Sequence, residues 1–565
     1  MSDPEGDDEV TGTGSGREVT GGGAYPRLTD VLLERLRSYG TPQTVEAGDV
    51  LYGPGDTTYD LVVIEDGTVE IVQPATRDAP EESLVRFGSG SFLGELNLLT
   101  GQSVYLIARV VEGGRVHRIA PARFRQLMAA DSELSDILLE AFRARREVLR
   151  QNGATRGLEL VGSSMDSASL ALRTYAARRR LPHLWFDSDS VAGHSLMKAA
   201  SLTSVDLPAA LMPERVLRRT TPGELAQTLG LTYRAVDSGA SVDLTVVGAG
   251  PAGLAAAVYG ASEGLTTVLL DAIGPGGQAA ASSRIENYLG FPSGISGAEL
   301  TERAEAQALK FGARVSAPCE IVALEVDEHL RAVLADGTHI STRALIIASG
   351  ARYRSLTLER WDEFVGAGIF YAATELEVRS CAGGPVTVVG GGNGAGQAAL
   401  YLASCGCDVT IAIRRPEIES GMSRYLVDRL LANPRVTVRV GSEVALLDGE
   451  HVLDAISLVG PGGDLHHQAC HGLFCFIGAE PATGWLTGVA LDEHGFVRTD
   501  VQLTSDDLGE TWSALGRRPL PFETSVPGVF AVGDVRHGSM KRVAAAVGEG
   551  ASAVRSVHSV IGVRA

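Results

Sequence analysis

Hydrophobic and polar positions follow different patterns in successive parts of the chain. Residues 1–25 contain seven Gly and six acidic residues but almost no large apolar side chains. Such a segment cannot bury enough apolar surface to offset the entropy that is lost on ordering. We therefore predict a disordered tail over residues 1–25, ahead of the folded part of the chain.

Short β-like runs separated by turn residues characterise residues 26–152. An amphipathic segment, LTDVLLERL (28–36), predicts a first helix. The dipeptide Asp66-Gly67 lies between alternating apolar residues, which is a strong hairpin signal. We expect a β-roll flanked by helices. Its later elements are predicted as a strand pair at 104–119 and helices at 121–130 and 132–150.

Strands and helices alternate in residues 153–232, which predicts a small α/β unit. Thr221-Pro222-Gly223-Glu224 forms a capping box with Pro at the first helical position, so a helix should begin there and continue to Leu229. A β pair is predicted around Pro208. The earlier elements are a strand at 158–163, a helix at 167–180, a strand at 183–187 and a helix at 192–200.

From residue 243 onward, strands and helices alternate on a larger scale, and the first of two glycine-rich loops appears. This loop is Gly248-x-Gly250-x-x-Gly253, between a predicted strand and a predicted helix. Glycines permit a tight turn and a close approach to a pyrophosphate, which the helix N-terminus would stabilise. Asp271 ends the next strand, where an acid can accept hydrogen bonds from a ribose. We interpret the loop as a dinucleotide site, with a purely structural glycine turn as the alternative.

The second loop is Gly390-x-Gly392-x-x-Ala395, and the strand that follows it ends in Arg414-Arg415. A pair of guanidinium groups suits a 2′-phosphate, so this loop indicates NADP rather than NAD. The alternative is that both arginines are solvated surface residues. Two dinucleotide sites in one chain indicate a flavin and a nicotinamide cofactor that meet for hydride transfer.

A third feature lies near the C-terminus, in VPGVFAVGDVRHGSMKRVAAAVGEGASAV (526–554). A predicted strand ends in Gly533-Asp534, and an Asp at this position can hold a ribityl hydroxyl. A helix is predicted to start near Lys541. Its N-terminus would stabilise negative charge on a reduced flavin ring.

Charge and composition narrow the class of protein. The net charge of −20 argues against a nucleic-acid partner. The N-terminus, MSDPEGDDEV, lacks the apolar core of a signal peptide. Residues 385–407 are uncharged, but their six Gly cluster in a turn, which favours a buried strand–loop–helix over a membrane span. No Cys occurs before Cys319, which excludes a disulfide scaffold. We expect a soluble, cytoplasmic protein.

Several motifs over residues 243–565 occur in one order that is specific to a family: GAGPAG, GPGGQ (274–278), RIENYLGFP (284–292), ASGARY (348–353), GGGNGAGQAA, FIGAEP (476–481) and FAVGDV. This part of the chain resembles the low-molecular-weight thioredoxin reductase-like flavoproteins. The resemblance implies two Rossmann-like α/β domains. The FAD domain would consist of residues 243–351 and 478–565, with an NADPH domain inserted at 352–477.

The resemblance also implies which residues contact each cofactor. The residues implied for FAD are Gly248, Gly250, Pro251, Ala252, Gly253, Asp271, Gly276, Gly277, Gln278, Asn287, Ile321, Ser349, Gly350, Gly533, Asp534, Lys541, Arg542 and Val543. The residues implied for NADPH are Gly390, Gly392, Asn393, Gly394, Ala395, Arg414 and Arg415. The family's third phosphate-binding Arg corresponds to Glu419, a departure that weighs against NADP.

The largest departure from the family lies just before the second loop. The family has a redox Cys-x-x-Cys there, but this chain reads YAATE (371–375), with Ala372 and Glu375 in place of the two thiols. Disulfide exchange needs a thiolate nucleophile. The segment HHQACHGLFCF (466–476) contains several possible metal ligands, but its spacing matches no common zinc template, so we predict no metal.

The two front parts also resemble known folds. Residues 26–152 resemble cyclic-nucleotide-binding domains, and GSFLGELNLLTG resembles their phosphate-binding cassette, which implies ligand contacts from Gly94, Glu95 and Leu96. The cassette Arg is replaced by Ser103-Val104-Tyr105, and Arg109 is displaced, so a working sensor and a degenerate regulatory domain both stay open. Residues 153–232 resemble a thioredoxin or glutaredoxin fold, with Pro208 as its cis-proline and a cysteine-free loop, GSSMDS (162–167).

These observations favour an FAD-dependent NAD(P)H oxidoreductase without a disulfide centre, whose chemistry is carried by the flavin. Its electron acceptor is not encoded in any visible motif, and its N-terminal domain would regulate it. We expect a homodimer. The alternative is a sensor without turnover, a flavoprotein that binds nucleotides and docks a partner.

Overall fold

The computed structural model describes residues 23–56, 58–75, 80–95, 97–104, 106–151, 158–164, 166–213, 215–234, 241–282, 285, 287–327, 329–373, 375–381 and 383–562. The predicted tail lies outside the described residues up to position 22. Ala24 is buried, so the packed chain starts before the predicted end of the tail at residue 25. The described chain divides into two compact units. One comprises the residues up to Glu159 with Pro182–Leu184 and Leu211–Val216, and the other comprises the remainder.

The first unit contains the β-roll. Its six strands form a sheet in the order β1-β6-β3-β4, with β2 paired to β6 and β5 paired to β3. The strands are β1 (Thr41–Val45), β2 (Val50–Tyr52), β3 (Leu61–Gln73), β4 (Glu82–Phe87), β5 (Phe92–Leu93) and β6 (Ile107–Ile119). The helices are α1 (Asp30–Ser38), α2 (Asn97–Thr100), α3 (Pro121–Ala130) and α4 (Ser132–Gln151).

Two turn predictions in the β-roll are wrong. Strand β3 runs straight through Asp66-Gly67, and β6 runs through Gly113-Gly114, so neither segment is a hairpin. The two strands pair with each other, and their register shifts around Asp66. Gly67 has φ +100°, and a Cβ there would lie 2.6 Å from the carbonyl oxygen of Glu112. The glycines therefore allow a β-bulge between long strands instead of closing local turns.

The helices of the β-roll follow the predicted pattern more closely. Helix α1 begins two residues later than predicted, because the hydroxyl of Thr29 caps it by accepting a hydrogen bond from the amide of Leu32. Helices α3 and α4 lie where the periodicity predicts them. Their apolar faces bury Phe124, Leu138 and Phe142 against the sheet.

A small four-stranded sheet follows in the order β10-β9-β7-β8. The Leu207–Pro208 peptide bond is cis, as the resemblance implies, and the capping box at Thr221 forms as predicted. Helices α5, α6 and α7 belong to the second compact unit. The elements are β7 (Glu159–Gly162), α5 (Ser167–Arg178), β8 (Leu184–Asp187), α6 (Val191–Ala199), β9 (Ala209–Met212), β10 (Arg215–Leu217) and α7 (Pro222–Leu229).

The second unit contains a seven-stranded sheet in the order β13-β12-β11-β16-β15-β14, with β27 paired to β16. Strands β11, β12, β13, β16 and β27 pair in parallel, and β14 to β16 form an antiparallel meander. The elements are β11 (Val242–Val247), α8 (Pro251–Ser262), β12 (Thr267–Leu270), α9 (Gly297–Lys310), β13 (Arg314–Ser316), β14 (Ile321–Val326), β15 (Leu330–Leu334), β16 (His339–Ile347), β27 (Val529–Ala531) and α15 (Val543–Ile561).

A five-stranded parallel sheet in the order β18-β25-β19-β20-β21 forms the inserted part of this unit, and β22-β23-β24 form a separate meander. The two-stranded pair β17–β26 lies where the chain enters and leaves the insertion. The elements are β17 (Ala351–Tyr353), α10 (Trp361–Phe364), β18 (Ile369–Phe370), α11 (Glu375–Ser380), β19 (Pro385–Val389), α12 (Asn393–Ser404), β20 (Asp408–Ile413), α13 (Arg424–Leu431), β21 (Val436–Val440), β22 (Glu443–Asp448), β23 (Ala455–Val459), β24 (Leu465–Ala469), β25 (Gly472–Cys475), β26 (Ala479–Pro481) and α14 (Ser505–Leu515).

The uncharged stretch 385–407 forms strand β19, a glycine turn and helix α12, and its apolar side chains lie in a buried core. Val386, Val388 and Leu402 are fully buried there. Parallel strands covered on both faces need such near-continuous apolar runs. Within the described ranges, no helix is long and apolar enough to cross a membrane.

Candidate functional site

The first glycine loop joins β11 to α8 and faces a second glycine turn. Gly248 has φ +103°, and Gly250 is the N-cap of α8, which leaves the first amides of the helix free of side-chain caps. A Cβ on Gly277 would lie 2.8 Å from the Cα of Gly250, so the two turns can approach this closely only with glycine at position 277. Free amides beside bare backbone form a cradle that fits a pyrophosphate.

Asp271 lies at the end of β12 and connects the two glycine turns. Its carboxylate accepts hydrogen bonds from the amide of Ala249 at 2.8 Å and from the amides of Ile273 and Gly274 at 2.9 and 2.7 Å. A carboxylate offers about four acceptor positions. The acid therefore holds both turns in place, and about one acceptor position is left for a ribose hydroxyl.

The C-terminal feature packs against the same helix. The amide of Gly533 donates to Glu549 at 2.7 Å, and a Cβ on Gly533 would lie 2.9 Å from the Cβ of Ala252. Burial raises the pKa of Asp534, although the nearby Lys541 ammonium acts in the opposite direction. Helix α15 starts at Val543, two residues after the predicted start, and its N-terminal amides carry no side-chain cap. This terminus is suited to an anionic group.

Six other residues implied for FAD have different surroundings. Gln278 donates its side-chain amide to the carbonyl of Ala351 at 2.7 Å, and the hydroxyl of Ser349 donates to the carbonyl of Ala482 at 2.9 Å, so these residues bring the first segment and the insertion boundary together. Ile321 is buried in the core of the seven-stranded sheet, and Asn287 is exposed. Gly276 and Gly350 adopt positive φ angles of 110° and 67° in their turns.

The second glycine loop is more open than the first. Gly392 is the N-cap of α12, and a Cβ there would meet nothing within 4 Å. Asn393 accepts a hydrogen bond from the amide of Ser423 at 2.7 Å, and Gly394 and Ala395 continue the first turn. Both arginines at the end of β20 are exposed. Arg415 donates to the carbonyl of Ser420 at 3.3 Å, and Arg414 has no partner among the residues described. The arrangement fits a pyrophosphate with an additional phosphate.

The segment YAATE (371–375), where the resemblance would place a dithiol, leads into helix α11. Glu375 is the first residue of α11 and forms an ion pair with Arg379, and Ala372 lies three residues before it. Tyr371 stacks on Tyr353, with ring centroids 5.6 Å apart and ring planes 8° from parallel. The indole of Trp361 donates to the Tyr371 hydroxyl at 3.0 Å. The motif ASGARY contains Tyr353, but no local pattern predicts its stacking partner.

All six cysteines lie in the described residues, and none is in a disulfide. Five are buried and only Cys405 is exposed. Cys381, which is isolated in the sequence, packs in the same core as Cys407, and burial raises its pKa to about 12. Burial also raises the pKa of Cys470 and of Cys475 to about 11. In the described part of the chain, no three His, Cys, Asp or Glu side chains are grouped to hold a metal ion.

The C-terminal end of helix α5 contacts helix α9 and the segment after strand β13, a contact that the sequence analysis missed. Arg179 forms an ion pair with Glu305 at 2.9 Å, and the Arg179 side chain is only 3% exposed. The Tyr175 hydroxyl donates to the carbonyl of Ala317 at 3.3 Å. Arg178 lies beside Gly274 in the second glycine turn. Helix α5 therefore packs against residues 274–317 of the same compact unit.

Residues of the predicted nucleotide cassette of the β-roll form ion pairs and hydrogen bonds with helix α4. Glu95 forms an ion pair with Arg146 of α4, which also bonds the side chain of Asn97. Gly94 has φ +154°, and Leu96 lies outside the described residues. Arg109 pairs with Glu81 at 2.7 Å. The ribose contact predicted for Glu95 therefore competes with an ion pair to a residue that the sequence analysis did not consider.

Comparison with known proteins identifies two regions. Residues 242–550 match the pyridine nucleotide-disulphide oxidoreductase family, and residues 42–131 match the cyclic nucleotide-binding domain. The thioredoxin reductase of Treponema pallidum (strain Nichols) is 30% identical over 326 residues, which cover 56% of this chain and 97% of that protein. The thioredoxin reductase of Streptomyces clavuligerus is 31% identical over 320 residues, covering 55% and 91%.

Solved structures agree with this assignment. Lactococcus lactis thioredoxin reductase in its FR conformation aligns with a TM-score of 0.50 at 27% identity, covering 57% of this chain and 99% of that one. The T. acidophilum thioredoxin reductase also aligns with a TM-score of 0.50 at 27% identity, covering 56% of this chain and 98% of that one. The chain therefore belongs to the pyridine nucleotide-disulphide oxidoreductase family, as an NAD(P)H-dependent flavoprotein oxidoreductase of thioredoxin reductase type with FAD and NADP(H) as its cofactors and a cyclic nucleotide-binding domain at its N-terminal end.

Proposed function

We propose that this oxidoreductase works without a disulfide centre and passes electrons from NADPH through FAD to an acceptor that is not reduced by dithiol exchange. The observation that carries the proposal is the identity of two residues, Ala372 and Glu375, at the positions of the family's redox thiols. Neither side chain can form a thiolate or a disulfide. The buried cysteines elsewhere do not replace them, because burial raises their pKa values and keeps them protonated.

For FAD, we propose a site over the two glycine turns of segment 243–351 and the C-terminal segment 478–565. The α8 N-terminus and Gly277 would hold the pyrophosphate, Asp271 the ribose, and Asp534 a ribityl hydroxyl. Arg542 and Val543 would place the N-terminus of α15 beside the flavin ring. When bound, FAD accepts a hydride from the nicotinamide and releases electrons to the acceptor. The protein's part is to position both cofactors and exclude water.

For NADPH, we propose a site on the inserted part, residues 352–477. The free N-terminus of α12 would bind the pyrophosphate, and the exposed Arg414 and Arg415 would bind the 2′-phosphate. Glu419 is also exposed in this region. Two arginines outweigh one acid at a phosphate, so we propose NADPH as the preferred donor.

The N-terminal domain and the small α/β unit have separate proposed roles. We propose that residues 26–152 regulate the rate of flavin reduction. The small unit, residues 153–232, would have no redox role of its own, because its GSSMDS loop holds no cysteine. Its ion pair between Arg179 and Glu305 supports a structural role instead.

An acceptor screen tests the proposed function. The FAD-loaded protein would be mixed with NADPH and with thioredoxin, an aromatic disulfide, a quinone, ferricyanide or oxygen in turn. We expect NADPH oxidation with at least one of the non-thiol acceptors and negligible disulfide reduction. The double variant Ala372→Cys plus Glu375→Cys is the matched control, since it restores the thiol spacing. Efficient thioredoxin reduction by the unaltered protein would refute the proposal, and no NADPH oxidation with any acceptor would favour a sensor without turnover.

A further inference from the structure

The β-roll contains a partly open cavity of about 70 Å³ between its strands and helix α4. Aromatic side chains form much of its wall, and one guanidinium lies within the lining. The residues on which the argument rests are Tyr25, Tyr52, Tyr59, Phe87, Glu95 and Arg145. All of them belong to the first compact unit. The two charged groups in the lining, Glu95 and Arg145, decide what kind of molecule the cavity would accept.

Arg145 carries a buried charge that no carboxylate neutralises. The residue is only 6% exposed, and its guanidinium donates to the carbonyls of Ala24, Gly94 and Phe92 at 2.8, 2.7 and 3.1 Å. Across the described residues, Arg145 forms no ion pair. Three of its five N–H groups are used in these bonds, which leaves two donors. Buried guanidinium groups are usually paired with an anion, so this one lacks its usual partner.

The surroundings of Arg145 are aromatic. Its guanidinium carbon lies 4.6 Å from the ring centroid of Phe92, 5.1 Å from that of Phe87 and 5.6 Å from that of Tyr25. Burial lowers the pKa of Arg145 to about 10, so the group is still charged at neutral pH. The cation–π contacts stabilise the positive charge without neutralising it.

Glu95 does not change the net positive charge of the cavity lining. Glu95 is already paired with Arg146, whose side chain is 5% exposed. The same guanidinium bonds Asn97, so it bridges the cassette to helix α4. The Glu95–Arg146 pair is neutral as a whole, and the lining keeps the single positive charge of Arg145. The ion pair also occupies the acid that a ribose hydroxyl would need.

We propose that the β-roll cavity binds a small aromatic carboxylate instead of a cyclic nucleotide. The carboxylate would pair with the free donors of Arg145, and the ring would pack among Tyr25, Tyr52, Tyr59 and Phe87. A charge-assisted hydrogen bond in a dry, aromatic site is among the stronger ligand contacts that proteins make. The cavity of about 70 Å³ is smaller than the ~150 Å³ cavity that admits benzene, and it is partly open, so the lining side chains have to move apart for a single ring to enter.

Calorimetry on the full-length, FAD-loaded protein tests the proposal with benzoate as the probe. Benzamide has the same ring without the charge, and acetate has the charge without the ring. We expect benzoate to bind at least ~10-fold more tightly than either compound, since both the ion pair and the ring contribute. Cyclic AMP should bind more weakly than benzoate. Equal affinity for benzoate and benzamide, or tighter binding of cyclic AMP, would overturn the proposal.

Three variants keep the test independent of folding. Arg145→Gln removes the charge and should abolish the preference for benzoate over benzamide, and circular dichroism would report whether it folds. Val85→Phe fills the cavity from strand β4 and leaves Arg145 intact. It should lower the affinity for both benzoate and benzamide at least ~10-fold. Arg150→Gln is the matched control on the same helix, because Arg150 is exposed and pairs with Glu147. Unchanged benzoate binding in folded Val85→Phe protein would place the ligand elsewhere and refute the site.

Discussion

The two glycine loops of the reductase part share one sequence pattern but have different surroundings. At the first loop, Gly277 packs against Gly250, and Asp271 is held by three backbone amides. At the second loop, Gly392 faces open space and both arginines are exposed. A second turn also approaches this loop, since a Cβ on Gly421 would lie 2.6 Å from the carbonyl oxygen of Gly391. The proposed sites therefore differ mainly in the residues at the end of the next strand, an acid held by amides at the first and exposed arginines at the second. The difference matches a resident flavin and an exchangeable nicotinamide.

We infer that the motif defines the phosphate contact, whereas the residues at the end of the next strand, Asp271 or Arg414 and Arg415, distinguish the two cofactors. Strand, glycine turn and helix N-terminus are the same in both sites. At the first site Asp271 anchors the neighbouring GPGGQ turn, whereas at the second site the corresponding strand ends in exposed arginines. A cofactor held between two backbones should exchange slowly, and one held by exposed arginines should exchange quickly.

The largest expected effect comes from adding one methyl group to each site in turn. Gly277→Ala places a Cβ 2.8 Å from the Cα of Gly250, at a φ of 53°, so FAD affinity should fall by at least ~100-fold. Gly392→Ala is the matched variant, since its Cβ meets nothing within 4 Å. It should leave FAD content unchanged and raise the KM for NADPH. Flavin fluorescence and steady-state kinetics measure the two effects. Similar FAD loss in both variants would remove the distinction between the sites.

The second prediction concerns the choice of nicotinamide. Arg414→Ala combined with Arg415→Ala should raise the KM for NADPH by ~10–100-fold and leave that for NADH nearly unchanged, because each guanidinium–phosphate contact is charge-assisted. The ratio of kcat/KM for the two donors is the quantity to measure. Arg435→Ala, an exposed arginine paired with Asp408, serves as the control. An unchanged ratio in the double variant would disprove the NADP assignment.

A smaller effect is expected from Asp534→Asn. This substitution should stabilise the FAD-free protein but weaken FAD binding. Burial raises the pKa of this acid in the folded state, so its ionised form costs stability once the pH exceeds the value of the unfolded chain. Asp534→Asn should therefore raise the Tm of the FAD-free protein at pH 7 to 8, and the gain should disappear as the pH falls toward 4. FAD binding should weaken by ~10-fold through loss of the charged hydrogen bond. A lower Tm for the variant at pH 8 would contradict this account.

The smallest effect is expected from thiol modification. Iodoacetamide should label Cys405 in the native protein and spare the five buried cysteines, because burial raises the thiol pKa of Cys381, Cys470 and Cys475 and lowers the thiolate fraction. The rate of flavin reduction by NADPH should not change. Mass spectrometry of the labelled protein and stopped-flow reduction report the two outcomes. Loss of flavin reduction on labelling would assign a redox role to a cysteine.

Local patterns predicted the fold where the interaction partners are close in sequence. The capping box of α7 forms at Thr221 and Glu224, as the spacing predicts, and the helix ends at Leu229. The strand–glycine–helix units also lie where they were predicted. In each case the signal and the structure fall within one turn or one βα unit, so the sequence window contains all the groups that interact.

Predictions failed where the partner lies far along the chain. Asp66-Gly67 has the composition of a hairpin, but its close contact is with Glu112 across two long strands. Arg146 forms an ion pair with Glu95 of the cassette, but its helix starts more than 30 residues after the cassette, and no spacing rule connects the two. The stacking of Tyr353 on Tyr371 likewise depends on how strands β17 and β18 meet. Tertiary packing decides such contacts, and one sequence does not report it.

The central claim is that the chain carries electrons on FAD alone, and an anaerobic reductive titration tests it most directly. FAD-loaded protein would be titrated with NADPH, and the absorbance of the flavin would be followed to the end point. A flavin and a disulfide each take up two electrons. With Ala372 and Glu375 at the former thiol positions, we predict that full bleaching requires two electrons per FAD. An end point of four electrons per FAD would show a second, disulfide-like centre and would contradict the account.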